Sequence, residues 1–340
     1  MKNIYVLGIE TSCDETSAAI VKNGRSVISN VISSQINIHK KFGGVVPEIA
    51  ARKHLEIISQ VVDSALFDAN MNFQDVDVIS ATCGPGLVGA LLVGVSYAKT
   101  LAFSLNKPLV AVNHIAGHIC ANYLESDFEP PFICSVISGG HTNLIYVRDY
   151  DSFEILSRTR DDAAGEAFDK VARVLGLNYP GGPQIDKLSQ SGDPLSIKFP
   201  QALENELDFS FSGIKSSVIN FVHKNDLDDA LKKNIAASFQ HSVSETIVKK
   251  TFLAANEKSC NKIALAGGVS SNSYLRNMFE TKCASENFIL HVPAKIFCTD
   301  NAAMIASSAY FKFIAGHRSN IYLNAYPNLK LCEDENEIIN

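Results

Sequence analysis

Tyr5-Val6-Leu7-Gly8-Ile9 leads into a polar turn, Glu10 to Thr16, and continues as Ser17-Ala18-Ala19-Ile20-Val21 up to a second turn at Asn23-Gly24. Much later, Phe132-Ile133-Cys134-Ser135-Val136-Ile137 leads into Ser138-Gly139-Gly140-His141-Thr142 and then Leu144-Ile145-Tyr146-Val147. Each stretch reads as strand, small polar turn, strand. Helical and strand patterns follow both, so the chain reads as a duplicated α/β fold with a cleft between the two copies.

The spacing of apolar residues sets the elements around these hairpins. Within 47–69, Ile49, Ile57, Ile58, Val61, Val62 and Leu66 fall on one side of a helix. A short buried strand is expected at 76–81, and an apolar helix rich in small residues at 87–103. Further helices are expected at 161–175, 234–256 and 300–313, with a strand at 262–266.

Composition narrows the class. The 340 residues suffice for two domains or one bilobal unit with a sizeable core. Hydrophobic residues at 46% and charged residues at 19% describe a globular chain, not a disordered one. No apolar run approaches the about 20 residues that cross a bilayer. The N-terminus enters a strand directly after Lys2, and acids follow at Glu10, Asp14 and Glu15, which suits neither a signal nor a transit peptide. Eight cysteines without a C-x-x-C pair point to reduced thiols and a cytoplasmic setting. With a net charge of −6, a nucleic-acid partner has to meet a local basic patch or another subunit. The candidate patch is His39-Lys40-Lys41 with Arg52-Lys53-His54, which also reads as a solvated helix face.

Gly84-Pro85-Gly86-Leu87-Val88-Gly89 matches G-x-G-x-x-G after a strand and before a helix. No acid follows at about 20 residues to hold a ribose, so tight helix packing is the better reading. No G-x-x-x-x-G-K-[ST] occurs, which excludes a P-loop. His114 and His118 stand at i and i+4, on one helix face, where both imidazoles reach a single metal ion. Ile115 stands where a zincin has its glutamate, so the protease motif is absent. Asp300, at the expected N-cap of the last long helix, is the candidate third ligand. Ser138 to Thr142 and Ala266 to Asn272 are small-residue turns after apolar strands, suited to backbone contacts with phosphate or ribose. Asp162, Glu166 and Asp169 fall on one helix face, and Tyr179 to Asp186 reads as a rigid turn ending in another acid. These carboxylates line a nucleotide site or form a solvated acidic face.

In their order along the chain, these motifs resemble one family, the tRNA adenosine threonylcarbamoyltransferases (TsaD). Gly8 to Thr16, Gly84 to Leu87, Asn113 to His118, Ser138 to Thr142 and Asp161 to Lys170 carry the likeness. So do Tyr179 to Pro183, Phe209 to Lys215, Ala266 to Asn272 and Thr299 to Ala306. The resemblance implies duplicated actin-like (ribonuclease H-like) α/β lobes with a nucleotide cleft between them. Expected bounds are 1–112, completed by about 313–331, for the first lobe and 113–312 for the second, with an acidic, loosely attached tail at 332–340. The implied reaction moves a threonylcarbamoyl group from threonylcarbamoyl-AMP to N6 of the adenosine 3′ of the anticodon, in tRNAs reading codons that begin with A, and releases AMP.

Carried over by motif, His114, His118 and Asp300 bind one divalent metal ion, iron or zinc. Val136, Ile137, Ser138, Gly139, Gly140, Asp169, Gly182, Asp186 and Asn272 hold the adenylate and its acyl part. The implied partners are tRNA, a paralogous TsaB-like subunit and a TsaE-like ATPase, with no membrane. A carboxylate has to take the amine proton, and Asp14 and Glu15 on the first hairpin turn are the candidates. Two other readings stand beside this one: a metalloprotease, and a non-catalytic nucleotide-binding scaffold.

Overall fold

The structure is a computed structural model that describes residues 2–332. The expected acidic tail lies outside the described residues apart from Cys332. The chain runs through β1 (Tyr5–Glu10), β2 (Glu15–Lys22), β3 (Ser26–Ser34), α1 (Ile36–His39) and α2 (Pro47–Asp68). It continues as β4 (Val78–Gly84), α3 (Val88–Leu105), β5 (Leu109–Asn113) and α4 (His114–Cys120). Then come β6 (Phe132–Ile137), β7 (Thr142–Asp149), β8 (Ser152–Arg158), α5 (Ala164–Val174) and α6 (Gly181–Ser189). α7 (Ser212–Lys224), α8 (Asp229–Glu257), β9 (Lys262–Ala266) and α9 (Ser273–Glu286) follow. β10 (Ile289–His291), α10 (Lys295–Cys298) and α11 (Ala302–Ile314) complete the order.

The duplication is visible in strand order. One five-stranded sheet reads β3-β2-β1-β4-β5 and the other β8-β7-β6-β9-β10. In both, the first strand of the hairpin is central: β1 pairs antiparallel with β2 and parallel with β4, and β6 pairs antiparallel with β7 and parallel with β9. The Glu10 to Thr16 and Ser138 to Thr142 turns therefore occupy equivalent places in two equivalent sheets.

The described residues form two compact units. Unit 1 comprises 2–130, 149–153 and 293–332, and unit 2 comprises 131–148 and 154–292. The sequence bounds assigned 113–130 and 293–312 to the second lobe, whereas both segments pack in unit 1. The reason is α11, whose Ala302 and Ala306 lie directly on β1 at Gly8 and whose Met304 and Ile305 cover Gly117 of α4. Those alanines belong to an apolar cluster with Val6, Val21 and Val112 on one face of the sheet. Leu7, Ile9 and Ile79 face the other way, onto α2 and α3.

The three glycines of the Gly84–Gly89 run serve packing, as the sequence suggests. A Cβ at Gly86 would lie 2.6 Å from Ser12 O, and one at Gly89 3.1 Å from Ala51 Cβ; at Gly84 it would strike Tyr326 O. By length and composition alone α3 is long and apolar enough to cross a membrane, which the sequence reading did not count. In unit 1 it packs on β4 and α2, with Gly94 against the Thr11 side chain.

Unit 2 departs from expectation in two places. The rigid turn expected at 179–186 is instead mostly helix, because α6 begins at Gly181: a Cβ at Gly181 would lie 2.7 Å from Asp169 Cα, and Asp169 Oδ1 accepts the first free N–H of the helix at 2.7 Å. The helix expected from 161 begins at Ala164, because Asp161 instead receives the N–H groups of Phe211 and Ser212. All eight cysteines are free thiols.

Candidate active site

His114 opens α4 because Asn113 caps that helix, its side-chain oxygen accepting the N–H groups of Ile115 at 2.9 Å and Ala116 at 3.4 Å. One turn on, His118 stands beside it, the two rings 4.6 Å apart and edge to face. Asp300 arrives from the segment before α11. The cap of that helix is Asn301, which accepts from Met304 N, so the sequence placed the cap one residue early. Asp300 Oδ1 lies 3.2 Å from His118 Nε2 and 3.5 Å from His114 Nε2.

The donor set fits a metal ion. One ligand atom from each residue lies within 4.8 Å of the others. Metal–ligand bonds of about 2.0–2.1 Å at tetrahedral angles put donor atoms about 3.3–3.4 Å apart, which matches the two measured spacings. His118 is fully buried, and its Nε2, aimed at Asp300, makes no hydrogen bond. A buried imidazole nitrogen without a hydrogen bond is costly unless something else, such as a cation, takes its lone pair.

The electrostatics agree. Burial opposes charge on His114, yet the carboxylates of Asp300 and Glu10 outweigh it and push the imidazole up to about 9. His118 is held below its ordinary value, chiefly by burial.

Asp14 stands on the first hairpin turn, as expected, and Glu15 is the first residue of β2. Asp14 is buried, and its Oδ2 has no hydrogen-bond partner. Glu15 accepts from Ser34 Oγ at 2.9 Å. Burial, then the charges of Asp14 and Asp300, push the Glu15 carboxyl up to about 9, so it holds a proton at neutral pH. The shared influence of Asp300 places this turn and the histidine pair in one electrostatic neighbourhood within unit 1. His54 secures the turn from α2, with Nε2 2.9 Å from Cys13 O and Nδ1 2.7 Å from Thr16 Oγ1. His39 and His54 are both buried, so the basic surface of this region reduces to Lys40, Lys41, Arg52 and part of Lys53.

Glu10 was not singled out by the sequence reading. It ends β1 fully buried, and its carboxylate touches His114 Nδ1, Thr82 and the Ser12 N–H. The available signal was an acid at the end of an otherwise apolar strand.

In unit 2, Val136 and Ile137 are buried in β6, so they offer a ligand only backbone groups. Ser138 closes the following turn: its N–H donates to His141 O at 2.8 Å, and its hydroxyl accepts from His141 N. Gly139, Gly140 and Gly182 face open space, with nothing within 4 Å of an added Cβ. Gly267 is different: it has φ +84°, and a Cβ there would lie 2.5 Å from Ile137 O.

The carboxylates read as one acidic face separate. Asp162 lies outside α5 and pairs with Lys170 and Lys215, and Glu166 also pairs with Lys170. Asp169 turns to α6 instead. Asp186 receives the N–H of Ser273 at 3.0 Å and its hydroxyl at 2.8 Å. Asn272 caps α9 through Leu275 N and donates to Gln240 Oε1 at 2.7 Å; Gln240 in turn donates to Ser189. Asp186, Ser189, Gln240, Ser273, Tyr274 and Asn277 line a cavity of about 370 Å³, within the size range of small-molecule sites.

Comparison with known proteins decides the family. The family model described as TsaD, tRNA N6-adenosine threonylcarbamoyltransferase, matches residues 26–307. The chain belongs to that family.

A tRNA N6-adenosine threonylcarbamoyltransferase of Clostridium kluyveri is 56% identical over 338 residues, covering 98% of this chain and 99% of the relative. One from Clostridium botulinum strain Hall is 57% identical over 337 residues, with the same coverage. Among solved structures, full-length HypF in its phosphate- and nucleotide-bound form aligns at TM-score 0.62 and 17% identity, over 93% of this chain and 56% of that one. The Acidaminococcus fermentans (R)-2-hydroxyglutaryl-CoA dehydratase component A aligns at TM-score 0.53 and 18% identity, over 91% and 98%. These structures share the fold, and the actin-like α/β class holds. As a TsaD-family enzyme the chain is a transferase that modifies adenosine in tRNA, and the protease and scaffold readings fall away.

Proposed function

We propose that His114, His118 and Asp300 hold the metal ion for threonylcarbamoyl transfer, that the Asp14–Glu15 turn supplies the proton acceptor, and that the Ser138–Gly140 turn with Gly182, Asp186 and Asn272 holds the adenylate. The observation that carries this reading is the convergence of His114, His118 and Asp300 in the same electrostatic neighbourhood as the Asp14–Glu15 turn. In the proposed reaction the N6 amine attacks the carbamoyl carbon of threonylcarbamoyl-AMP. The bond from that carbon to the phosphate oxygen breaks, and AMP leaves with the electron pair. An exocyclic amine is a weak nucleophile and the donor is already activated, so positioning and charge stabilisation carry most of the rate. A divalent ion held by the two histidines and Asp300, iron or zinc, would supply Lewis acidity toward the carbonyl or phosphate oxygen.

The two candidate carboxylates divide the work. Asp14, with a buried oxygen that makes no hydrogen bond, accepts the amine proton; Glu15 keeps its own proton and serves as a donor. Backbone groups of Val136, Ile137, Ser138, Gly139 and Gly140, together with Gly182, contact the adenylate. Gly139, Gly140 and Gly182 are needed neither for packing nor for a positive φ, which supports close approach of a ligand to their backbone. Asp186 lines the 370 Å³ cavity, Asn272 holds Gln240 in its wall, and Asp169 holds the start of α6 in place.

Lys40, Lys41, Arg52 and Lys53 contribute to tRNA contact. Leu55, Phe67, Leu92 and Phe103 are exposed on α2 and α3, which supports a TsaB-like subunit on that face. A TsaE-like ATPase is carried over from the family resemblance. Eight free thiols support a reducing, cytoplasmic setting.

The deciding experiment is single-turnover transfer to tRNA, paired with elemental analysis, for wild type and for His114→Ala with His118→Ala. The double variant is expected to keep its fold while losing metal and transfer. Full metal occupancy in that variant refutes the triad.

A further inference from the structure

Glu10 is a carboxylate with no exposure to solvent, a state that persists only where donors compensate the lost hydration. Three groups from three elements converge on it. The N–H of Ser12, on the hairpin turn, donates to Oε1. Thr82 of β4 donates its hydroxyl to Oε2 at 2.6 Å, and His114 Nδ1 lies 3.1 Å from the same oxygen. Ser12 Oγ is also 3.1 Å from that nitrogen.

The two nitrogens of an imidazole point to opposite sides of the ring. While Nδ1 faces Glu10, Nε2 faces Asp300, 3.5 Å away. A carboxylate only accepts, so this contact keeps a proton at Nδ1, and in the neutral ring that a metal requires the lone pair is then on Nε2. His118 has no such partner: its Nδ1 is buried without a hydrogen bond. One histidine of the pair is oriented by the chain, and the other is not.

We propose that Glu10 is a positioning residue of the metal centre, taking the Nδ1 proton of His114 so that the Nε2 lone pair is directed at the ion. This rests on the reading that His114, His118 and Asp300 hold a metal. Glu10 touches neither the ion nor the substrate, and it acts only through His114.

Glu10→Gln is the informative variant because it keeps shape and turns one acceptor into a donor. If the amide oxygen stays on Ser12 N–H, the amide nitrogen faces Thr82 and His114. His114 Nδ1 then has to accept, and the ring proton moves to the metal-binding nitrogen. If the amide is flipped, its nitrogen meets the Ser12 N–H donor to donor. Neither orientation reproduces the native pattern.

The test uses the full chain and Zn²⁺ as the probe, in competition with a chromophoric chelator. Glu10→Gln is expected to bind Zn²⁺ about 10–100-fold more weakly than wild type, the usual cost of losing a partner of a metal-bound histidine. Long-range ¹H–¹⁵N spectra of the metal-free proteins, taken at a pH where His114 is neutral, are expected to show the proton on Nδ1 in wild type and on Nε2 in Glu10→Gln. Equal Zn²⁺ affinity in the two proteins overturns the role of Glu10. An unprotonated Nδ1 in wild type overturns it too, even if the variant fails to fold. Failure of wild type itself to bind Zn²⁺ or Fe²⁺ stoichiometrically instead removes the metal reading on which the proposal stands.

Discussion

Replacing Gly8 by alanine tests how the metal centre is assembled. Gly8 sits in the middle of β1, directly beneath α11. A Cβ there would lie 2.8 Å from Ala306 N and 2.9 Å from Ala306 Cβ, and closer still to Ala302 O, where ordinary contact begins at 3.4 Å. Two of these atoms are helix backbone, so no side-chain rotation relieves the clash. Strand and helix have to separate by about 0.5–1 Å, and overpacking of this kind costs about 1–3 kcal/mol. With an unfolding entropy of about 2.1 cal/mol/K per residue, a chain this long loses about 1.4 °C in thermal midpoint per kcal/mol, so a drop of roughly 1.5–4 °C is expected. Asp300 lies just before this helix. A shift of that size moves its 3.2 and 3.5 Å spacings to the histidines away from the tetrahedral separation of about 3.3–3.4 Å, and Zn²⁺ affinity should fall about tenfold. Calorimetry and chelator competition read the two effects. A midpoint within half a degree of wild type, with unchanged affinity, refutes the idea that contact of α11 with β1 sets the centre.

Other consequences separate the polar groups. Asp14→Asn should lower single-turnover transfer about 10²–10⁴-fold with AMP affinity nearly unchanged, as for a lost proton acceptor; equal loss in AMP binding argues for a ground-state contact instead. Glu15→Gln mimics the protonated acid present at neutral pH, so transfer should stay near normal, and a large loss contradicts the raised carboxyl. The same variant has a stability signature in metal-free protein. A carboxyl raised to about 9 from 4.5 favours folding fully only below pH 4.5, and that contribution is lost progressively as pH rises toward 9. Glu15→Gln should therefore be more stable than wild type at pH 7 and indistinguishable from it near pH 4; a pH-independent difference sinks the assignment. Asn272→Ala should weaken AMP binding and cost about 1 kcal/mol of stability through the lost cap of α9, read by equilibrium binding and melting.

The sequence alone determined the α/β class, the duplicated hairpins and the histidine pair. Each of these is encoded within a few residues, by strand alternation, by small turn residues and by the i, i+4 spacing of a helix. Its family motifs were legible for the same reason, since each is a short contiguous run. The tertiary structure decided what depends on contacts between distant segments. α11 belongs to unit 1 because its small residues lie on Gly8, nearly three hundred positions earlier. Asp162 and Glu166 are spent on Lys170 and Lys215, while Asp169 caps α6, although all three looked alike along one helical face. His39 and His54 count as basic by composition and are buried in the fold, with His54 bonded to the turn beside Asp14. Glu10 emerged only once Thr82 and His114 were seen to converge on it. Hydrogen-bond partners and burial are set by three-dimensional proximity, and no local pattern in the chain encodes them.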